Sequence, residues 1–323
     1  MVHDLAVGVH PYGSDAWALQ DVMAWGMSVG APPDAFNQIG QDWSQPPWRP
    51  DRLAAAGYLP YRDMLRTVLR HCGGVRVDHI LGLFRLWWVP EGMPSSAGTY
   101  VRYDHEALVG ILALEAWRAG AVVIGEDLGT VEPWVRDYLA ERGLLGTSIL
   151  WFERDDQGQP RPPETWRELC LAAVTTHDLP PTAGYLDGEH IRLRDRLGLL
   201  TRPVQEERRL DEADRSSWLR LLVERGWLPA YDSNGGEEPD EEEVTVALHR
   251  ALAATPSRLL GVALTDAVGD RRTMNQPGTH AEYPNWQLPL ADASARPVLL
   301  EDLVTLPRVA RLAAAVRGSG APA

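Results

Sequence analysis

The sequence GGVRVDHILG, residues 73–82, predicts a short strand that ends in charged side chains. Val75 and Val77 are β-branched, and such residues favour strands. Arg76 and Asp78 are two residues apart, so an extended backbone places both side chains on one face. In barrels of alternating strands and helices, catalytic residues lie at the carboxyl ends of the strands, which is where this charge falls. A salt bridge that only tethers the next loop explains the same charges, and the stretch alone leaves both interpretations open.

The composition of the chain disfavours several classes of protein. Its 323 residues are enough for one large α/β domain or two ordinary ones, and its net charge of −14 disfavours binding to nucleic acid. No window has the length and apolar content of a membrane span. Cys72 and Cys170 form neither a disulfide framework nor a CxxC pair, so we expect a cytoplasmic protein. Thirteen Trp favour a cleft that stacks on sugar rings, although ordinary core packing explains any single one.

Predicted strands alternate with predicted helices along the chain. The strands are Asp4–Val9, one that begins at Val75, Ala121–Gly125, Gly146–Phe152, Leu171–Thr176 and Ser257–Leu264. The helices are Tyr61–His71, Asp104–Gly120, Trp134–Arg142, Trp166–Cys170, Glu243–Ala254 and Leu306–Arg317. This alternation is typical of an α/β fold with a parallel sheet. No glycine-rich phosphate loop follows the first strand, so a nucleotide-binding fold is disfavoured.

Two segments interrupt the alternation. Residues 11–60 are rich in Gly, Pro, Asp and Trp and predict a long irregular loop insertion that binds substrate, although such a loop can also pack on its own aromatic residues. Residues 189–256 predict a charged helical insertion with an acidic, flexible loop at 235–243. A solvated loop that places carboxylates at a helix N-terminus is a sufficient explanation for that charge.

Three of the predicted strands end in a carboxylate: Asp78, Glu126 and Asp178. Retaining glycosyl chemistry needs two carboxylates about 5–5.5 Å apart, of which one attacks the sugar and the other serves as acid and base. A neighbouring acid should raise the pKa of the acid/base group. A metal site could use the same three residues, although Arg76 beside Asp78 disfavours a cation there. Unrelated salt bridges at strand ends are the remaining alternative.

Several motifs, read together, resemble glycoside hydrolase family 77, the 4-α-glucanotransferases. They are Gly30–Trp43 (GAPPDAFNQIGQDW), Val75–Gly82 (VRVDHILG), Gly125–Gly129 (GEDLG), Thr175–Pro180 (TTHDLP), Met274–Gly278 (MNQPG) and Tyr283–Trp286 (YPNW). The resemblance covers nearly the whole chain. It implies a (β/α)8 barrel of the α-amylase superfamily with loop and helical insertions, acting on α-1,4-glucans and maltooligosaccharides without a cofactor or metal.

The resemblance also implies roles for individual residues. It makes Asp78 the nucleophile, Glu126 the acid/base and Asp178 a stabilising carboxylate. Arg76 would orient Asp78, and His177 would hydrogen-bond the donor sugar. Further substrate-binding residues implied in the same way are Asp4, Phe36, Gln41, Trp43, His79 and Asn275.

The number of predicted units departs from the family pattern. A (β/α)8 barrel has eight units, whereas about six are counted here, and the resemblance makes Asp4–Val9 look like the third strand. We therefore expect residues 1–323 to be a single catalytic domain that is the C-terminal portion of an incomplete barrel, with the upstream portion as its partner. The expected activity is glucan transfer. The alternatives are an α-glucan hydrolase of the same superfamily and an inactive truncated remnant.

Overall fold

Residues 74–77 form the middle strand of a three-stranded parallel sheet, as their sequence predicts. The structure is a computed structural model that describes residues 1–33, 39–129, 131–230 and 239–317. Two units are distinguished within the chain, Met1–Thr147 and Ser148–Ala323. The expectation of a single catalytic domain over residues 1–323 stays a prediction.

The described residues form short strands and mostly short helices. The strands are β1 Val2–Leu5, β2 Met27–Ala31, β3 Gln41–Asp42, β4 Gly74–Val77, β5 Arg85–Pro90, β6 Thr99–Arg102, β7 Val122–Gly125, β8 Gly146–Ile149, β9 Cys170–Ala173 and β10 Leu259–Gly261. The α-helices are α1 Ser14–Ala18, α2 Pro50–Ala55, α3 Leu59–Leu69, α4 His105–Ala119, α5 Pro133–Glu141, α6 Thr182–Leu186, α7 Glu189–Arg196, α8 Val204–Glu224, α9 Glu241–Ala253, α10 Leu264–Val268, α11 Leu300–Leu303 and α12 Pro307–Val316. Single 3₁₀ turns are Gln20–Val22, Ile80–Leu83, Ser95–Ala97, Leu150–Phe152 and Pro163–Thr165. None of the helices in these ranges has the length and apolar character needed to cross a bilayer.

The parallel sheet of the first unit has the strand order β1-β4-β7. Its register pairs Asp4 with Arg76, and Arg76 in turn with Ile124. Because all three strands run in the same direction, their carboxyl ends emerge at one edge of the sheet. The residues that follow β4 and β7 are Asp78 and Glu126, so the sheet brings these two predicted carboxylates to the same edge.

Helices α3 and α4 belong to the apolar core of the first unit. Leu65 and Leu112 are fully buried in the same cluster as Val75 of the sheet. The predicted ends of α4 are confirmed. Asp104 Oδ1 accepts the N–H of Ala107 at 3.1 Å, and Gly120 ends the helix with a positive φ of 63°.

An antiparallel sheet lies where the sequence predicts only an irregular loop. Its order is β3-β2-β5-β6, so β2 and β3 are regular structure within residues 11–60. The prediction failed because β2 contains Gly30, which ordinarily weakens a strand. Here the glycine is required, since a Cβ on Gly30 would lie 2.1 Å from the carbonyl oxygen of Gln41 on β3.

In the second unit, β9 and β10 are parallel neighbours in a sheet of strand order β10-β9-β8. Two predicted elements are wrong here. Residues 166–169 are irregular rather than helical. The strand predicted over Ser257–Leu264 is limited to Leu259–Gly261, and Leu264 begins helix α10. Both segments are too short for periodicity to separate the two structures.

The helical character of residues 189–256 is confirmed by α7, α8 and α9. The acidic loop predicted at 235–243 is shorter than expected, because Glu241, Glu242 and Glu243 form the first turn of α9. Two of these side chains pair with α12, Glu241 with Arg308 and Glu242 with Arg311. Residues 235–238 lie outside the described residues.

Candidate active site

A guanidinium lies between two carboxylates at the edge of the first unit's parallel sheet. Arg76 Nη1 is 2.7 Å from Asp4 Oδ1, and Arg76 Nη2 is 3.0 Å from Asp78 Oδ1. Burial alone would lower the pKa of Arg76, but the charges of Asp78 and Asp4 outweigh it and hold that pKa above its ordinary value. The side chain is only 16% exposed and stays charged, so it neutralises and orients the two acids.

Asp78 is held by its backbone while its carboxylate remains accessible. Its N–H donates to the carbonyl oxygen of Leu5 on the neighbouring strand at 2.9 Å. Its side chain is 36% exposed, which leaves room for a substrate to approach. A rigid backbone, an open carboxylate and a fixed cation are what a nucleophilic carboxylate requires.

Glu126 follows β7 and lies against the segment that carries Asp78. Its N–H donates to Val77 O at 2.9 Å, and its carbonyl oxygen accepts the N–H of Ile80 at 3.0 Å. The two carboxylate oxygens accept backbone N–H groups, Oε1 from Leu128 at 2.7 Å and Oε2 from His79 at 3.1 Å. Two hydrogen bonds therefore hold the backbone of Glu126 and two hold its carboxylate, and the charge of Arg76 also acts on the carboxylate.

The pKa of Glu126 is raised to about 7. Burial is the largest cause, and the negative charge of Asp78 adds to it, while the N–H of Leu128 acts in the opposite direction. The sequence predicts this direction on account of the neighbouring acid, but desolvation contributes more. The group therefore holds a proton close to neutral pH, as a general acid must.

A strained turn brings the backbone of His79 against Glu126. His79 has φ 45° and ψ 59°, the left-handed conformation that few residues other than Gly adopt. Ile80 then packs against Gly125, where an added Cβ would lie 2.5 Å from Ile80 Cδ1. Burial lowers the pKa of His79 to about 4, so its ring is neutral. Strain of this kind is concentrated at functional sites.

Two of the substrate-binding residues predicted in the 30–43 motif, Gln41 and Trp43, are described in the first unit. Trp43 lies edge-on to the ring of His79, with 5.6 Å between centroids. Trp43 Nε1 donates to Gln41 Oε1 at 3.1 Å, and Trp43 N–H donates to Val29 O at 2.8 Å. Phe36, which the sequence also assigns to substrate binding, lies outside the described residues.

In the second unit, Asp178 forms its own polar cluster. Its Oδ1 accepts the side-chain amide of Asn275 at 2.6 Å, and its Oδ2 is 3.2 Å from Nε2 of His177. Its N–H donates to the hydroxyl of Thr176 at 3.2 Å. The carboxylate remains 40% exposed. The structure thus brings together three of the predicted residues, His177, Asp178 and Asn275.

Trp286 is a site residue that the sequence analysis missed. Its ring centroid is 5.1 Å from that of His177, and 64% of the residue is exposed. Its backbone is left-handed, with φ 62°, and its N–H donates to Met274 O. The signal was present in the YPNW motif, which was recognised without a role for its last residue.

The chemistry that this arrangement supports is clearest in the first unit. It contains an accessible carboxylate beside a fixed cation, and a second carboxyl that is protonated near neutral pH. When the environments of two neighbouring acids give them different pKa values, one acid can act as a nucleophile and the other as its acid/base partner. Within the part of the chain that the structure describes, no group of three or more His, Cys, Asp or Glu residues could hold a metal ion.

Comparisons with known proteins agree on one family. Residues 1–294 match the glycoside hydrolase family 77 model, described as 4-alpha-glucanotransferase. A 4-alpha-glucanotransferase of Mycobacterium tuberculosis is 65% identical over 320 residues, which cover 98% of this chain and 44% of the relative. One of Haemophilus influenzae is 35% identical over 294 residues, which cover 90% and 42%.

Solved structures show the same similarity. The chain matches the crystal structure of an amylomaltase from Corynebacterium glutamicum with a TM-score of 0.92 and 55% identity, over 98% of this chain and 46% of that one. An amylomaltase from Streptococcus agalactiae, solved with acarbose, is 20% identical with a TM-score of 0.73 and shows the α/β fold alone. The chain spans about half the length of the relatives it matches.

Proposed function

Because the chain belongs to glycoside hydrolase family 77, the 4-alpha-glucanotransferases, we propose that it moves a segment of α-1,4-glucan to the 4-hydroxyl of an acceptor glucan or glucose. The observation that carries the proposal is the pairing of Asp78, held beside Arg76, with a Glu126 whose pKa is raised to about 7. The transfer retains the configuration of the sugar because it proceeds through two displacements.

In the first displacement, a carboxylate oxygen of Asp78 attacks the anomeric carbon of the donor. The bond from that carbon to the glycosidic oxygen breaks, and Glu126 gives its proton to the departing oxygen. The product is a glycosyl ester on Asp78. Arg76 supports this step because it keeps Asp78 ionised and oriented before attack.

In the second displacement, Glu126 is ionised and removes the proton from the acceptor's 4-hydroxyl. The acceptor oxygen attacks the anomeric carbon, and the ester bond to Asp78 breaks. The proton returns Glu126 to its starting form. The backbone N–H groups of Leu128 and His79 support the ionised state between the two steps.

Asp178 is proposed as a third carboxylate, which stabilises the positive charge that develops on the donor sugar. Asn275 and His177 orient it through their hydrogen-bonding contacts, and His177 with Trp286 provides a polar and an aromatic surface for sugar. Asp4, Gln41, Trp43, His79 and Phe36 are proposed to bind substrate on the strength of the motifs that contain them.

The larger architecture is part of the same proposal. We assign the chain to the (β/α)8 barrel of the α-amylase superfamily, with β1, β4, β7, β8, β9 and β10 among its strands. The greater length of the relatives supports an upstream portion as partner of this chain. Maltooligosaccharides as substrates and a cytoplasmic location are proposed with it.

The test is incubation of the purified protein with maltotriose, with products resolved by size. Transfer yields glucose together with a ladder of longer maltooligosaccharides. Hydrolysis yields glucose and maltose without longer products, and would overturn the proposal in favour of a hydrolase. Absence of any product from folded protein would contradict the proposal for this chain. Asp78→Asn, nearly identical in shape, is the matched control and should form neither product nor covalent intermediate.

A further inference from the structure

The loop that carries Asp178 is bound at a second point by a buried carboxylate, Asp266. Asp266 has no exposed surface, and both of its oxygens accept hydrogen bonds from a single residue. Oδ1 accepts the backbone N–H of Thr182 and Oδ2 accepts its hydroxyl, each at 2.7 Å. Two hydrogen bonds from one residue fix its position and its orientation.

Thr182 is connected to Asp178 by a short and stiff segment. Pro180 and Pro181 lie between them, and each proline fixes its own φ. The carbonyl oxygen of Pro180 accepts the hydroxyl of Thr175 at 2.8 Å, which closes the loop at its other end. Because this segment is stiff, a displacement of Thr182 also displaces Asp178.

A second connection links Asp266 to Asp178 through the residues that follow Asp266 and a hydrogen bond from Asn275. Helix α10 contains Asp266 and ends at Gly269, which has a left-handed φ of 79°. The residues that follow lead to Asn275, whose amide donates to Asp178 Oδ1 at 2.6 Å. Asp178, Thr182, Asp266 and Asn275 thus form a closed ring of alternating backbone and hydrogen bonds, which we call the 178–275 ring.

Side chains of two helices, α9 and α12, surround Asp266 on the side away from Thr182. Arg308 Nε of α12 donates to the carbonyl oxygen of Asp266 at 2.9 Å. The same guanidinium pairs through its other two nitrogens with Glu241 of α9, at 3.0 and 2.7 Å. His249 Nε2, also on α9, is 3.8 Å from Asp266 Oδ2. A buried carboxyl group is costly unless hydrogen bonds offset its desolvation. Here Thr182 supplies two hydrogen bonds to the carboxyl oxygens, and burial still raises the pKa of Asp266.

We propose that Asp266 is a positioning residue for Asp178, acting through Thr182 and Asn275 without touching substrate. The proposal rests on the role of Asp178 in the proposed function. The carboxylate of Asp178 is 40% exposed, and its Oδ1 accepts the hydrogen bond from Asn275 that belongs to the ring. A displacement of about 1 Å in a catalytic group can cost about 100-fold in rate, which makes such placement important.

The decisive variant is Thr182→Val, which keeps the shape of Thr182 and removes only its hydroxyl. We expect kcat for maltotriose transfer to fall by about 10- to 100-fold while KM changes by less than about threefold. Thr182→Ser restores the hydroxyl and should restore most of kcat. Asp266→Asn should lower kcat by a similar factor. The double variant with Thr182→Val should have a kcat no lower than that of the less active single variant, because the two substitutions break the same contact.

Tyr185→Phe is the matched control. It too removes one hydroxyl that donates to a carboxylate, Asp214 Oδ2 at 2.8 Å, and neither residue belongs to the 178–275 ring or to the groups behind Asp266. It should keep kcat within about twofold of the wild-type value. A folded Thr182→Val protein with wild-type kcat would overturn the proposal, as would an equal loss in the control.

Hydrogen exchange tests the positioning role of Asp266 independently of glucan transfer. Backbone amides of residues 176–182 should exchange faster in Thr182→Val and Asp266→Asn, but not in Tyr185→Phe. If the wild-type protein transfers no glucan, the proposed function fails, and the exchange data still decide whether Asp266 holds the Asp178 loop. Unchanged exchange in both ring variants would show that it does not.

Discussion

Arg76 Nη2 lies 3.0 Å from Asp78 Oδ1, and its other amino group reaches Asp4 at 2.7 Å. The cation is therefore shared by two acids at one edge of the sheet. Replacing it removes the cation that these two carboxylates share, next to a third acid at Glu126. We therefore expect the orientation of Asp78, the proposed nucleophile, to depend on Arg76.

Arg76→Met should lower kcat for transfer by about 100-fold, since Asp78 loses the cation that orients and neutralises it. Arg76→Lys keeps the charge without the planar fork and should recover only part of the rate. Steady-state rates on maltotriose measure both. Arg62→Met is the control, because Arg62 pairs with an exposed Asp63 and should change kcat by less than about twofold. Wild-type kcat in Arg76→Met would contradict the assignment.

Glu126 should set the alkaline limit of activity. Its pKa is raised to about 7, so the proton needed for the first displacement is lost as pH rises through 7, and kcat/KM should fall about tenfold per pH unit above it. Glu126→Gln should abolish turnover of maltotriose at every pH. With a maltosyl fluoride donor, whose leaving group needs no proton, the variant should still form the ester on Asp78. Unchanged activity from pH 6 to 9 in the wild-type protein would rule out this role.

The same buried group should also make the stability of the fold depend on pH. The pKa of Glu126 is about 7 in the folded chain against an ordinary 4.5, so the folded state binds more protons between these values. The free energy of unfolding therefore falls as pH rises from 4.5 to 7. Glu126→Gln avoids that loss and should be the more stable protein at pH 8, by on the order of 2 kcal/mol, with no advantage at pH 4.

Urea unfolding at pH 4 and pH 8 measures this difference. Glu141→Gln is the control, because Glu141 lies on the surface at the end of α5 and makes only a 3.9 Å contact with Arg142. It should behave like the wild-type protein at both pH values. A Glu126→Gln protein that is less stable than wild type at pH 8 would show that the backbone hydrogen bonds to the carboxylate outweigh its burial.

Asn275→Asp tests the contact with Asp178. The substitution keeps the shape of the side chain but replaces a donor, 2.6 Å from Asp178 Oδ1, by a second negative charge. We expect kcat to fall by about 100-fold, more than in Asn275→Ala, because two carboxylates at this distance repel. Part of the loss should return as pH is lowered. Gln287→Glu adds the same charge at an exposed position downstream, and kcat there should stay near the wild-type value.

The sequence predicts much of this site because its signals are local. The strand before Asp78, the ends of α4 and the common face of Arg76 and Asp78 follow from neighbouring residues, and the structure confirms them. The antiparallel sheet was missed, because the need for Gly30 arises from the distant backbone of Gln41. The left-handed turn at His79 has no sequence signal, since His seldom adopts it.

The other features that the sequence does not predict depend on contacts between residues far apart in the chain. Thr182 and Asp266 are 84 residues apart, and nothing in the sequence around either predicts that they meet. Asp266 is a buried acid in a short helix for which the sequence analysis makes no prediction. Trp286 was visible in a motif, but its ring contact with His177 depends on a fold that brings residues 177 and 286 together.

The 178–275 ring has a consequence for the order of events during protein synthesis. Asp178 and the amide that holds it are separated by 97 positions along the chain. At translation rates of roughly 5–20 residues per second, about 5–20 s pass between the synthesis of these two residues. A nascent chain on the ribosome therefore contains Asp78, Glu126 and Asp178 well before Asp178 can take its final place. The proposed stabilising carboxylate is therefore the last of the three to be placed, after the residues proposed to attack and protonate a sugar.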